Sequence, residues 1–223
     1  MNVIDPKPKN LTAEPPSDEW TKQLRSSAAA FAGPGHPLAS CFYADSWKGR
    51  QASHPIYSVG LHTIIDAKDL TSVNKPFCWR FLAGGHREMA MAAGCLTTHE
   101  VHGLPAKVMA VLPGKEMKEV LDSVEQLSKL PEVKDNPSDK YDVRVLRIPA
   151  LYMEAFWLKS ESPQKEDLIV PYGLLLNGNG GVKFGTQRPL RKDHAYLVTR
   201  FLDTIRDAAQ KRLAAGSSMG PPG

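Results

Sequence analysis

The sequence predicts an α+β fold, in which a mainly antiparallel sheet packs with a central helix and a long C-terminal helix. Apolar residues recur at helical spacing in the middle of the chain and near its C-terminus. Segments rich in β-branched and aromatic residues lie between these helices, separated by glycine-rich turns. The regular alternation of strands and helices that indicates a parallel sheet is missing. We therefore expect a meander and hairpins.

Composition and cysteine usage indicate the class of protein. Of 223 residues, 42% are hydrophobic and 23% charged, which is typical of globular proteins. We expect one domain over 19–215, with flexible proline-rich tails at 1–18 and 216–223. Three cysteines are too few for a disulfide scaffold, and the first residues contain no apolar signal segment. The sequence contains no run of 18 apolar residues, so no transmembrane helix is predicted. The expectation is a soluble, cytoplasmic protein.

The elements up to the middle of the chain follow from periodicity and turn signals. Trp20, Leu24, Ala28 and Phe31 predict a first helix over 20–32 that ends before Gly33-Pro34. The strands of the meander are predicted over 56–65, 76–82, 88–98 and 106–112. A tight turn at Gly84-Gly85 is predicted between the second and third of these strands.

The second half of the chain predicts three kinds of element. An apolar stripe predicts the central helix over 115–130, closed by Pro131. Residues 141–158 predict two strands, or one strand bent at Pro149. A short strand over 167–171 precedes a hairpin at Asn177-Gly178. The last helix is predicted over 191–215, about 35 Å long, with an apolar stripe that needs a sheet face or a partner helix.

The stretch AAGCLTTHEVHGLPAK, residues 92–107, carries the most chemically suggestive residues. If 88–98 is a strand, Cys95 and His99 share a face but lie about 13 Å apart, too far for a hydrogen bond. If 87–93 is instead helical and Gly94 caps it, Cys95 follows a helix C-terminus, which does not favour a thiolate. Under either alternative Cys95 is expected to be a small buried thiol.

His99 and His102 raise the question of a metal site. In a continuing strand they face opposite ways, whereas a turn centred on Gly103 would let them converge, with Glu100 or His86 as a third ligand. The spacing differs from the H-E-x-x-H pattern of zinc hydrolases. Two histidines at the end of a strand, without a metal, are the preferred interpretation, and metal binding is the alternative.

Two glycine-rich segments carry candidate anion-binding residues. His86 and Arg87 follow Gly84-Gly85, where a carboxylate or phosphate would meet hydrogen-bond donors. Arg188, Arg191 and Lys192 follow the second glycine-rich segment, which matches neither common phosphate-binding glycine motif. Plain hairpin turns are the preferred interpretation of both segments, and anion binding is the alternative.

One acid, Glu154, lies within a strongly apolar run, LYMEAFWL. Strand alternation places it on the same face as Phe156 and Leu158, so a buried Glu154 would need a partner. We expect an ion pair with Arg144 or Arg147 rather than a general acid.

These observations favour a non-enzymatic binding or adaptor protein that recognises a protein partner or a small anionic ligand. Self-association through the C-terminal helix is a further expectation. Residues 183–212 contain eight basic and three acidic residues, but no nucleic-acid motif accompanies them. No cofactor and no membrane contact are expected. The alternative function is a hydrolase or transferase with a His/Cys-containing site near residues 86–102, with or without the assistance of a metal ion.

Overall fold

The computed structural model describes residues 10–12, 51–83, 92–97, 107–113, 122–174, 190 and 194–217. The chain forms two compact units, Met1–Ile56 with Pro76–Lys129 and Tyr57–Lys75 with Leu130–Gly223. The predicted first helix and the hairpin at Asn177-Gly178 lie outside the described residues. The expectation of one domain over 19–215 stays a prediction.

The first unit is built on an antiparallel meander. The strands in chain order are β1 (Leu11–Thr12), β2 (Gln51–Ser58), β3 (Cys78–Ala83), β4 (Ala92–Thr97) and β5 (Lys107–Pro113). Strands β2, β3, β4 and β5 pair successively and antiparallel, which confirms the predicted meander. Ala83 pairs with Ala92, so the whole of 84–91 joins these strands. The predicted tight turn at Gly84-Gly85 lies within 84–91, outside the described residues.

Two local predictions in this part of the chain are corrected. The predicted strand over 56–65 ends at Ser58, and Leu61–Asp66 forms a helix, α1. Ile64 is fully buried in the core of the second unit, so tertiary packing overrides the strand preference of its β-branched side chain. Gly94 lies inside strand β4, so the alternative in which it caps a helix is wrong.

The predicted central helix is described only in part. Residues 122–127 are helical and form α2, and Leu127 from the predicted apolar stripe is buried. A separate short helix, α3, covers Pro131–Lys134 in the second unit. Proline suits the first position of a helix because the amide hydrogen that it lacks has no partner there. The chain therefore interrupts the helix before Pro131, as predicted.

The second unit contains a second antiparallel series of strands. These are β6 (Tyr141–Ile148), β7 (Met153–Ser160), β8 (Leu168–Leu174) and β9 (Tyr196–Leu197), and each pairs antiparallel with the next. Strands β6 and β7 are joined by a 3-10 turn, Pro149–Leu151. The prediction of two strands separated at Pro149 is confirmed.

The long C-terminal helix, α4, covers Val198–Ser217. It begins later than predicted because Tyr196 and Leu197 pair with β8. Its first amides are satisfied from outside the helix: the Val198 amide donates to the Asp167 carbonyl at 3.0 Å, and the Thr199 amide donates to the Glu166 carboxylate at 2.6 Å. These contacts define the start of the helix.

The apolar stripe of α4 forms one side of the core of the second unit. Its buried residues are Val198, Phe201, Leu202, Ile205 and Ala209. They pack with one face of the sheet, represented by Leu146, Ile148, Ala155, Trp157 and Ile169. Each large side chain buried in this way contributes about 1.5–3 kcal/mol. Of the two predicted partners of the stripe, a sheet face or a partner helix, the structure shows the sheet face of its own unit.

The fold class is confirmed as α+β with mainly antiparallel strands.

Within the predicted N-terminal tail, Asn10 and Leu11 are buried, so this part of the tail is not an exposed end. Among the described residues, no helix has the length and apolarity needed to cross a membrane.

Candidate functional site

Most of the residues predicted to form a site lie outside the described part of the chain. These are His86, Arg87, His99, His102, Arg188, Arg191 and Lys192. Cys95 lies in strand β4, whose backbone is described. The preferred interpretations, histidines at a strand end and plain hairpin turns, and their alternatives, a metal site and anion binding, therefore all stay predictions.

The strand register gives Cys95 neighbours that the sequence does not reveal. Cys95 lies opposite Arg80, and Arg80 lies opposite His54, so the three positions form a row on one face of the meander. His54 and Arg80 are 2% and 8% exposed. Neighbouring strands lie about 4.8 Å apart, which separates the His54 and Cys95 backbones by about 10 Å. Arg80 is thus the residue next to Cys95 in this row.

Cys78 lies on the same face of β3 as Arg80 and is disulfide-bonded. It is fully buried. Three cysteines are too few for a disulfide scaffold, but that interpretation did not anticipate a single bond at Cys78. Because disulfides persist mainly in oxidising environments, the cysteine count alone does not indicate a reducing compartment.

A metal site would need at least three His, Cys, Asp or Glu side chains that converge on one point. No three of them form a group that could hold a metal ion in the described part of the chain. The pair in question, His99 and His102, lies outside it.

A polar and aromatic cluster lies on the core face of β6 and β7. The Trp157 indole donates a hydrogen bond to the Asp167 carboxylate at 2.8 Å, and the Ser160 amide donates to the other carboxylate oxygen at 2.9 Å. The Lys159 ammonium lies 3.6 Å from Asp167. The charges of Asp167 and Lys159 therefore both have partners inside the unit, which indicates a structural role for this cluster.

Arg144 extends this cluster toward the aromatic rings. Its guanidinium lies 4.9 Å from the Tyr57 ring centroid and 5.0 Å from that of Trp157, both within the range of a cation–π contact. Its Nε donates to Asp142 at 2.7 Å. Because Arg144 pairs with a carboxylate and contacts two aromatic rings, it also has a structural role.

The predicted ion pair of Glu154 is confirmed with Arg147. Arg147 Nε lies 3.5 Å from Glu154 Oε1, and the Tyr172 hydroxyl donates to Glu154 Oε2 at 2.9 Å. The Glu154 carboxylate is buried, and these contacts offset part of the cost of removing it from water. Glu154 is therefore a buried carboxylate paired with an arginine, as expected.

Tyr152 differs from these side chains in its backbone conformation. It follows the 3-10 turn with φ 51° and ψ 40°, the left-handed conformation, and is the only non-glycine residue with positive φ in the described part of the chain. A bulky residue in this region is strained, and such strain is concentrated at binding sites. The Tyr152 side chain is nevertheless 45% exposed, so packing in the core does not account for the strained backbone.

Arg212 of α4 lies near the exposed Tyr152 ring. Its guanidinium carbon lies 5.8 Å from the ring centroid, and the side chain is exposed. On the same side of the helix, one turn later, lie the exposed residues Ala215 and Gly216. A Cβ at Gly216 would meet no atom within 4 Å, so the helix surface is open there. We call Tyr152, Arg212, Ala215 and Gly216 the Tyr152–Arg212 surface.

Sequence reasoning missed this surface for a physical reason. Tyr152 lies within the range predicted as strand, 141–158, and the turn at Pro149–Leu151 precedes it in the structure. Arg212 is one of eight basic residues over 183–212, and nothing in the sequence distinguishes it from the others. The proline at 149 was the one signal that could have identified a turn with an aromatic residue after it.

No family model, curated protein or solved structure matches the chain.

Proposed function

We propose that the protein is a non-enzymatic binding or adaptor protein that recognises a protein partner through the Tyr152–Arg212 surface. The observation that carries this proposal is Tyr152, whose backbone has the left-handed conformation and whose exposed ring has the Arg212 guanidinium carbon 5.8 Å from its centroid. Glycine or asparagine suits that backbone better than tyrosine. A tyrosine kept there at a cost in stability, with its ring in solvent, is explained by a contact with a partner.

The composition of the surface supports this proposal. Tyrosine and arginine are the residue types that, with tryptophan, contribute most to protein interfaces. Tyr152 offers a flat apolar ring with few rotatable bonds, and Arg212 adds a positive charge 5.8 Å from the ring centroid. The small residues Ala215 and Gly216 let another backbone approach the helix closely. The covered stripe of α4 offers no such contact.

The experiment compares capture by variants of the full chain. Wild type, Tyr152→Ala, Arg212→Ala and Arg200→Ala are immobilised and exposed to lysate of the source cells, and bound proteins are quantified by mass spectrometry. Arg200 is the matched control, since it is an exposed arginine on the same helix. The proposal predicts proteins retained by wild type and Arg200→Ala but lost from the other two. Equal retention by all four variants would contradict it.

The proposal includes the cytoplasmic location expected from the sequence. The disulfide at Cys78 is the observation that bears against it, because the cytosol keeps most thiols reduced. Trapping of thiols in intact cells, followed by mass spectrometry of the Cys78 peptide, tests this part separately. A largely oxidised Cys78 in cells would place the protein in an oxidising compartment.

A second candidate function is a hydrolase or transferase with its site near residues 86–102. The observation that favours it is the row of His54, Arg80 and Cys95, because a neighbouring guanidinium favours the thiolate form of cysteine. This candidate requires Cys95, rather than Cys41, to be the thiol that the Cys78 disulfide leaves free. Its test is the pH dependence of Cys95 alkylation by iodoacetamide in wild type and Arg80→Gln. A nucleophile assisted by Arg80 reacts at lower pH in wild type than in the variant. Identical profiles would end this candidate.

A further inference from the structure

The Cys78 disulfide has two candidate partners within the chain, because the sequence contains two other cysteines, Cys41 and Cys95. Cys78 is fully buried in strand β3. This strand pairs with β2 on one side and with β4, which contains Cys95, on the other. The register of the three strands therefore gives the position of Cys95 relative to Cys78 and can decide between the two partners.

The residues directly opposite Cys78 on the neighbouring strands are not cysteines. Cys78 lies opposite Ile56 on β2 and opposite Thr97 on β4. Cys95 is two residues before Thr97 and lies opposite Arg80 instead. Cys78 and Cys95 therefore occupy diagonal positions on the same face of two adjacent strands.

The diagonal separation is too large for a disulfide. Two residues advance about 6.8 Å along a strand and neighbouring strands lie about 4.8 Å apart, so the Cα atoms of Cys78 and Cys95 are about 8 Å apart. A disulfide usually joins Cα atoms about 4.4–6.8 Å apart, and a separation above about 7 Å requires the backbone to move. Six successive residue pairs between β3 and β4 oppose such a movement.

We infer that the disulfide joins Cys78 to Cys41 and leaves Cys95 as the free thiol. Cys41 precedes Gln51, the first residue of β2, by ten residues, and a chain of that length spans up to about 33 Å. From Gln51 to Ile56, the residue opposite Cys78, is about 17 Å along the strand. The chain is therefore long enough for Cys41 to reach Cys78.

The inferred bond closes a loop of the chain that contains the segment Tyr57–Lys75. Cys41 and Cys78 both belong to the first unit, whereas Tyr57–Lys75 belongs to the second. The chain therefore leaves the first unit and returns to it between the two cysteines. A crosslink there limits the separation of the two returning segments in the unfolded chain, which stabilises the folded state. This inference does not depend on the proposed binding function, and it supplies Cys95 as the free thiol that the second candidate function requires.

Peptide mapping of the full chain under non-reducing conditions tests this connectivity. Protein purified without reductant is unfolded at mildly acidic pH with N-ethylmaleimide, which blocks free thiols before they can exchange with the disulfide. Trypsin then places the three cysteines in separate peptides, 26–48, 69–80 and 88–107. We expect the first two peptides to be joined by a disulfide and the third to carry N-ethylmaleimide. Any other crosslink would overturn the inference, as would alkylation of all three peptides.

Two matched serine variants give an independent measurement. Cys41→Ser should contain two free thiols and Cys95→Ser none, counted with Ellman's reagent in unfolded, unreduced protein. Reductant should lower the Tm of wild type and of Cys95→Ser by several degrees, but should leave the Tm of Cys41→Ser unchanged. A reductant effect lost in Cys95→Ser and kept in Cys41→Ser would overturn the inference. If Cys41→Ser does not fold, the peptide map of wild type still decides the connectivity.

Discussion

The Trp157 indole donates a hydrogen bond of 2.8 Å to the Asp167 carboxylate, and Trp157 is fully buried. The other oxygen of the same carboxylate accepts the Ser160 amide. One acid therefore satisfies an aromatic donor of the core and a backbone donor at the end of β7. Because the Asp167 carbonyl also accepts the first amide of α4, this residue connects the sheet with the helix that covers it.

Asp167→Asn should lower the free energy of unfolding by about 2 kcal/mol. An asparagine amide can accept from one of the two donors, but its NH₂ group faces the other, and the charge that Lys159 contacts is lost. Urea unfolding measures the change, with Asp207→Asn as control because that aspartate pairs with Lys211 in solvent. The control should change stability by less than about 1 kcal/mol. Equal effects would show that Asp167 contributes no more than a surface charge.

Arg206 connects α4 to the end of α1. Its Nε and Nη2 donate to the carbonyls of Ile65 and Ala67 at 3.1 and 3.0 Å, where a helix end leaves acceptors without partners. Arg206→Ala should therefore cost about 1–3 kcal/mol and increase hydrogen exchange at the Ala67 amide. The exposed Arg200→Ala should leave both quantities nearly unchanged. Unaltered exchange at Ala67 in Arg206→Ala would refute the proposed link between the helices.

The disulfide at Cys78 predicts a definite thiol count. The chain has three cysteines, so one disulfide leaves one free thiol, and unfolded, unreduced protein should react with one equivalent of Ellman's reagent. Cys78→Ser should expose two thiols and lose about 3 kcal/mol of stability, since the crosslink limits the unfolded chain. A count of three thiols in wild type purified without reductant would show that Cys78 is not bonded in solution.

Much of the second unit was predictable because its signals are local. The alternation around Glu154 and the proline at 149 predicted two strands and a buried acid with an arginine partner. The structure identifies Arg147 as that partner because it lies opposite Glu154 in the register. Arg144, the other candidate, pairs with Asp142 on the opposite face.

Other features depend on contacts between distant residues and could not be predicted. Leu61–Ile65 has strand propensity, but the burial of Ile64 against the sheet favours a helix. The row of His54, Arg80 and Cys95 depends on the register of three strands. The Tyr152–Arg212 contact joins a turn to a helix that follows it much later in the chain. Periodicity within one segment contains none of this information.

Tyr141 gives the stability of the protein an alkaline limit. Burial, together with the nearby carboxylate of Asp139, raises the pKa of its hydroxyl above the ordinary value of 10.0. Above pH 10 the unfolded chain then loses this proton more readily than the folded protein, so stability falls as pH rises toward the folded-state pKa. Tyr141→Phe cannot ionise and should show a shallower decline between pH 9 and 11. Urea unfolding at several pH values tests this, and parallel declines would exclude Tyr141 as the cause.

Tyr152 allows backbone strain to be separated from the contribution of its ring. Tyr152→Ala and Tyr152→Gly both remove the ring and its contact with Arg212, and they differ mainly in tolerance of φ 51°. Glycine adopts this conformation without the steric cost that alanine retains, so Tyr152→Gly should be more stable than Tyr152→Ala by about 1 kcal/mol. Thermal and urea unfolding of the two variants measure this difference. If Tyr152→Ala proved equally stable, the backbone there would be unstrained, and the main argument for a recognition role of Tyr152 would fail.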